Sequence, residues 1–315
     1  MRKVLLATTA LVAAGGISAA SADVSISGGY EAAYTSSDIS GGTSTNVISA
    51  ENMDYSISFS NTLDNGMSLS GTVNTSQTGV EETGATITGD FGSLGFGPLG
   101  EKATGFETAV DVTPDEGSAF TGTGTDYTYL PADSQVSDPA ISYLSPAMGG
   151  FSFMVGSKDG GTAENTIYGA KFTTDTAGAT VTLKYATDEG DTGTATTNTS
   201  ASSLGVVIGI GNATITMAQN EKDTGDTVTS ALVGTGVGVK YVVSDSVSLT
   251  AYSASGDDDK DTTYELTDTG VGISYTVTPG MVLHVTHNDQ DLKNSSTYTT
   301  STSASRTSVN LNLTF

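Results

Sequence analysis

Beyond residue 22, apolar residues recur at every second position, and helical spacing is hard to find. Met53, Tyr55, Ile57 and Phe59 alternate with Asp54, Ser56, Ser58 and Ser60. Val181, Leu183 and Tyr185 alternate with Thr182 and Lys184, and Val271, Ile273, Tyr275 and Val277 with Gly272, Ser274 and Thr276. Val309, Leu311, Leu313 and Phe315 alternate with Asn310, Asn312 and Thr314. Neighbouring side chains of a strand point to opposite faces, so this pattern predicts strands with one apolar and one polar face. Each run is about 9–11 residues, the length a tilted strand needs to cross a bilayer.

The connections carry a second rhythm. Tight turns are predicted at Leu63–Gly66, Phe91–Ser93, Ser145–Gly149, Asp175–Gly178, Gly211–Asn212, Ser244–Ser246 and Thr278–Gly280, where Gly, Asn, Asp, Ser and Pro accept sharp backbone bends. Between them lie polar stretches at about 36–51, 77–83, 101–138, 158–164, 188–201, 221–230, 254–264 and 288–304. Short and long connections alternate, and together they join sixteen strands. A sandwich has no reason to keep all long loops at one end. An up-and-down barrel in an outer membrane does, with short periplasmic turns and longer external loops. The reading is therefore all-β: a sixteen-stranded antiparallel transmembrane barrel, wide enough for an aqueous channel.

The N-terminus supports export. Arg2 and Lys3, the apolar run Val4–Ala14 and the small residues Ala20-Ser21-Ala22 come in the order of a cleaved secretory signal. Residues 1–22 are read as that signal and 23–315 as the barrel domain. There is no cysteine, so stability comes without disulfides. Removing Arg2 and Lys3 leaves 9 of the 11 Lys and Arg against 35 Asp and Glu, a net charge near −26. Such acidity argues against nucleic acid as a partner, which needs clustered cations.

Parity assigns the faces. With one apolar face per strand and no second layer to cover it, the apolar face meets lipid. Lys171, Lys184 and Lys240 then point inward, as do Glu31 and Asp54. Lysine on the lipid face costs roughly 2–4 kcal/mol at the midplane, so the inward placement is required. Aromatics are expected in two interfacial bands. Tyr34, Tyr55, Tyr168 and Tyr185 belong to the outer one; Phe59, Tyr143, Phe151, Phe153, Phe172, Tyr241, Tyr275 and Phe315 belong to the periplasmic one. Tyr252 breaks the parity of Val247, Leu249 and Ala251, which a bulge would explain.

The stretch 101–138 is the longest connection, and a loop of that length in a compact fold is usually functional or disordered. Phe106, Val110, Phe120, Tyr127, Tyr129 and Leu130 suit packing against the inside of the wall. Glu107, Asp111, Asp115, Glu116 and Asp126 would line a constriction, where carboxylates favour cations. A separate acidic run, Asp257, Asp258, Asp259 and Asp261, is read as a solvated loop or a weak site for a divalent cation such as calcium, although it lacks the spacing of a dedicated calcium loop.

With its signal, its strand rhythm, the phrase Gly89-Asp90-Phe91-Gly92-Ser93-Leu94-Gly95-Phe96-Gly97, the long third loop and the terminal Phe315, the chain resembles the general diffusion porins of Gram-negative bacteria. The resemblance spans the mature chain. It implies a homotrimer in the outer membrane, a third loop folded into the lumen, no cofactor, and small hydrophilic solutes as cargo. It also implies that Phe315, with Leu313 and Leu311, forms the signal read by the barrel-assembly machinery. The acids Glu107, Asp111, Asp115 and Glu116 match the family's loop acids. The facing arginine cluster does not match: no Arg or Lys lies between Asp23 and Gly100, and Arg306 is the one arginine after the signal.

Catalytic readings find little support. His284 and His287 stand three apart on a strand and face opposite sides, so they do not readily share a metal. Gly234-Thr235-Gly236-Val237-Gly238 lies in a strand with no helix after it, unlike a phosphate loop. Three functions remain in view: passive diffusion with cation preference, a substrate-selective channel using Tyr127 and Tyr129, and a secreted acidic adhesin or surface-layer protein.

Overall fold

Val, Thr and aromatic residues recur along the alternating runs, and β-branched and aromatic side chains suit a pleated ladder with one wet face. The computed structural model describes residues 23–42, 44–76, 79–98, 100, 103–108, 139–159, 164–191, 198–223, 231–258, 265–293 and 302–315. The runs become β1 (Asp23–Ile39), β2 (Thr45–Thr62), β3 (Ser68–Ser76), β4 (Gly79–Gly89), β5 (Gly92–Phe96), β6 (Ile141–Leu144), β7 (Phe151–Asp159) and β8 (Glu164–Thr176). They continue as β9 (Ala179–Asp191), β10 (Asn198–Ile210), β11 (Ala213–Asp223), β12 (Ala231–Ser244), β13 (Val247–Asp258), β14 (Glu265–Thr278), β15 (Met281–Lys293) and β16 (Thr302–Thr314). Each strand pairs antiparallel with its sequence neighbours, and β1 pairs with β16, which closes the barrel at sixteen strands. Closure leaves no free sheet edge.

All seven short turns fall where the sequence puts them. The long connections do not keep their expected lengths. β1 runs to Ile39 and β2 begins at Thr45, inside the stretch read as loop 36–51. Likewise β9 runs to Asp191 and β15 to Lys293. β1 and β2 have 17 and 18 residues, well beyond the expected span. The reason is physical. Apolar alternation is needed only where one face meets lipid, whereas ladder hydrogen bonds form equally well above it. β5 and β6 are the opposite case, with 5 and 4 residues on either side of the third connection.

Exposure alternates with the pleat. Ile57, Phe59, Phe153, Val155, Leu183, Val271 and Ile273 are exposed outward, while Met154 (1%), Ile167 (0%) and Ala186 (0%) are buried on the inside. Tyr252 corrects the sequence reading. No register shift lies beside it in either ladder of β13. It simply faces inward, buried between Gly238 and Gly270, and its hydroxyl donates to Asp268 Oδ2 at 2.8 Å. The Asp268 carboxylate also accepts from Gln290 Nε2 at 3.2 Å. An aromatic that breaks parity was thus a lumen residue with a polar partner.

Two glycines are demanded by geometry. Gly92, at the turn into β5, has φ 107°, and a Cβ there would stand 2.2 Å from Leu144 O. Gly28 receives the end of the chain: Gly28 N donates to Phe315 O and Phe315 N to Gly28 O, both at 3.0 Å. The Phe315 ring then lies over Gly28, where a Cβ would meet Phe315 Cζ at 2.6 Å. Tyr55, expected in the outer aromatic band, lines the same cleft as Phe315. The length of β2 places it in the strand interior rather than at an end.

Candidate functional site: the lumen wall

Register sorts charge by face. Lys171 stands opposite Lys184, and Lys240 stands between Thr214 and Thr250 with exposed Val239 and Tyr241 flanking it outward. Lys158 follows Met154 and Gly156 on the inner face of β7. Lys222 lies opposite the buried Ala201. Arg306 lies opposite the buried Ser37 and Asn288. Among the described cations, only Lys293 takes the outer face, where its Nζ donates to Glu265 Oε2 at 2.6 Å. Many acids do the reverse. Glu189, Glu221, Asp257, Asp289 and Asp291 share the outward parity of their strands, above the apolar positions. Glu31, Asp54, Asp188 and Asp268 face inward. Among the described residues, much of the chain's acidity therefore lies on the outer face. The sequence reading found Lys171, Lys184 and Lys240 but not Lys158, Lys222 and Arg306, which stand beyond the clean apolar alternation.

The third connection begins inside. After β5 a single 3-10 turn, Ala103–Gly105, leads to residues 106–108. Ala103 (0%) and Phe106 (3%) pack with Met154, Ile167, Ala186 and Ala201 from β7 to β10. Five strands, β7 to β11, hold this segment. Lys171 Nζ sits 5.3 Å from the centre of the Phe106 ring. Lys184 Nζ donates to Glu107 O at 3.0 Å. Thr108 N donates to Ser203 Oγ at 3.1 Å, and Asn220 Nδ2 donates to Thr108 O at 3.4 Å. Cation–ring contacts and hydrogen bonds to a charged group both strengthen where water is scarce.

Of the acids expected at a constriction, Glu107 is brought to the basic wall, with its residue 3% exposed. Asp111, Asp115, Glu116 and Asp126 lie outside the described residues, as do Val110, Phe120, Tyr127, Tyr129 and Leu130. In the acidic run, Asp257 is exposed on β13 and Asp258 ends that strand; Asp259 and Asp261 lie outside the described residues. No group of three or more metal-capable side chains occurs among the described residues. His284 Nδ1 meets Ser274 Oγ at 2.9 Å and His287 Nδ1 meets Thr307 Oγ1 at 2.8 Å, from opposite faces of β15. Leu311 and Leu313 stand opposite Ala32 and Tyr30 at the seam with β1.

The geometry has clear counterparts. A family model described as Gram-negative porin matches residues 7–295. The fold is similar to an anion-selective porin from Comamonas acidovorans, at TM-score 0.66 and 16% identity, covering 93% of this chain and 100% of that one. It is also similar to a trimer form of OmpT, an outer membrane protein of Vibrio cholerae, at TM-score 0.63 and 16% identity, covering 93% and 99%. The outer membrane channel DcaP of Acinetobacter baumannii matches at TM-score 0.62 and 11% identity, covering 96% and 99%. No curated protein matches the sequence.

Proposed function

This chain belongs to the Gram-negative porins and resides in the outer membrane, and from that premise we propose that it lets small hydrophilic solutes and ions diffuse passively through a water-filled lumen. The observation that carries the reading is the closed sixteen-strand barrel, apolar outside and polar inside. Such a lumen performs no covalent chemistry and needs no cofactor; bore and wall charge select what passes. In this reading, residues 1–22 are removed on export, three copies assemble, and Phe315 with Leu313 and Leu311 is read by the assembly machinery. A trimer form of the Vibrio protein supports the trimer. In the same reading, Asp111, Asp115, Glu116 and Asp126, which lie outside the described residues, supply charge that favours cations.

Two readings of charge compete. The acidic surplus of the chain and the loop acids favour cations. The inward set Lys158, Lys171, Lys184, Lys222, Lys240 and Arg306 favours anions, and the Comamonas porin is itself described as anion-selective. We take cation preference as the reading and anion preference as its rival. Detergent-purified protein in a planar bilayer separates them. Conductance steps in groups of three support a trimeric pore, and the sign of the reversal potential in a KCl gradient decides between the two. Absence of conductance by well-folded protein overturns the channel reading. Saturable block by one sugar and not others would instead favour a substrate-selective channel.

A further inference from the structure

We propose that Lys171, Lys184, Gly169 and Gly205 are positioning residues that set how far the start of the third connection stands from the wall, and thereby the bore of the channel. The inference rests on the channel reading above. Lys171 and Lys184 are direct cross-strand neighbours. Like charges placed so are unfavourable unless each has another partner. Here each does: Lys184 Nζ holds the Glu107 carbonyl and Lys171 Nζ caps the Phe106 ring. Both cations are thus turned toward the chain segment crossing the wall, rather than held out as a free pair for passing ions.

The two glycines supply the other half of the argument. A Cβ on Gly169 would stand 2.6 Å from Phe106 Cγ, and a Cβ on Gly205 would stand 2.0 Å from Thr108 Oγ1 and 2.2 Å from Thr108 Cβ. Real Cβ atoms do not come that close, so the segment touches bare backbone at both places. The Thr108 Cβ is the base of its side chain, and no rotation about χ1 moves it away. Lysine, glycine, Ser203 and Asn220 contacts come from β8, β9, β10 and β11 and act on three consecutive residues, Phe106, Glu107 and Thr108. A methyl added on the inner face of β10 beneath Thr108 pushes it off the wall.

The experiment uses full-length protein in planar bilayers, with neutral polymers of graded size as the gauge of bore. Gly205→Ala is expected to lower conductance by roughly a third and to exclude smaller polymers than the parent does, because conduction follows the constriction's free cross-section. Adding Thr108→Gly removes the group that the methyl meets and restores both readings. That is a coupling between touching residues of the kind a double-mutant cycle detects. Lys184→Met is expected to shift the polymer cutoff and raise open-channel noise, whereas Lys184→Arg, which keeps a donor, does neither. An unchanged cutoff in Gly205→Ala overturns the proposal. So does a Lys184→Met channel that changes only its reversal potential, for that lysine would then be a selectivity charge. If Gly205→Ala does not reach the heat-modifiable folded form, the Lys184 pair still decides. A silent parent protein would instead sink the channel reading itself.

Discussion

The wall of β1 to β5 and the wall of β7 to β11 belong to one sheet, yet their inner faces are furnished differently. The first carries no Lys or Arg anywhere from Asp23 to Gly100. Its hydroxyls and amides bond across the ladder to each other. Ser56 Oγ donates to Asn74 Oδ1 at 3.0 Å, Ser58 and Thr72 meet at 3.1 Å, and Thr88 and Ser93 meet at 2.9 Å. The second carries Lys158, Lys171, Lys184 and Lys222 among Met154, Ile167, Ala186 and Ala201, with glycines where chain passes over it. The difference follows from what each wall faces. Polar groups lining water need only modest partners, because water supplies the rest. A wall that receives another segment must exclude water, so it offers apolar surface, backbone slots and long cations that reach carbonyls and rings.

Four changes probe this contrast, beginning with the largest. Deleting Phe315 removes the residue that ties the end of the chain to Gly28 on the cation-free wall, and most of the heat-modifiable folded protein in outer-membrane fractions is expected to disappear. Normal yield would show that the seam closes without it. Next, a lysine can be placed on either face of β2. Ile57→Lys, on the outward face, is expected to destabilise by about 2–4 kcal/mol in guanidinium unfolding from lipid vesicles. Ser56→Lys, one residue away on the inner face, is expected to fold nearly as well as the parent and to move the reversal potential toward anions. Equal damage from both would erase the distinction between the faces.

Met154→Ala tests the covered wall. Met154 is 1% exposed beneath the segment that follows β5, so its truncation is expected to cost roughly 2 kcal/mol, at the low end for a buried methionine. A loss within error would mean that the segment does not press on it. The smallest effect is expected on the wet wall. Replacing both Ser58 and Thr72 by Val removes a complete hydrogen-bonded pair, and stability is expected to change by less than about 1 kcal/mol. A large loss there would show that this wall, too, is sealed from water.

Strand number, order and turns were legible because lipid imposes period two on any strand that crosses it. Phe59, Ile57 and Tyr55 announce their face, and Asp64-Asn65-Gly66 announces the bend after it. Legibility ends where lipid ends. Above Val285 the outward positions are His287, Asp289, Asp291 and Lys293, which carry no apolar signal although β15 continues through them. Lys222 and Arg306 were unassigned for the same reason. Tyr252 departs from the rule that aromatics face lipid because Gly270 leaves room for its ring inside. At the candidate site, the sequence marked Phe106, Glu107, Lys171 and Lys184 separately. That two of these lysines are spent on a single chain segment depends on register across β8 and β9, and no periodicity within one strand encodes it.

The seam between the first strand and the last sets a condition on biogenesis. Gly29 pairs with Thr314 and Tyr30 with Leu313, so contacts that complete the sheet join opposite ends of the polypeptide. Until those pairs form, β1 and β16 present unpaired edges that invite association with other chains. Such distant pairings are also slow to find. The chain therefore cannot finish folding while it is still being synthesised. Its two edge strands must be kept from those of other copies until the ends of the chain meet.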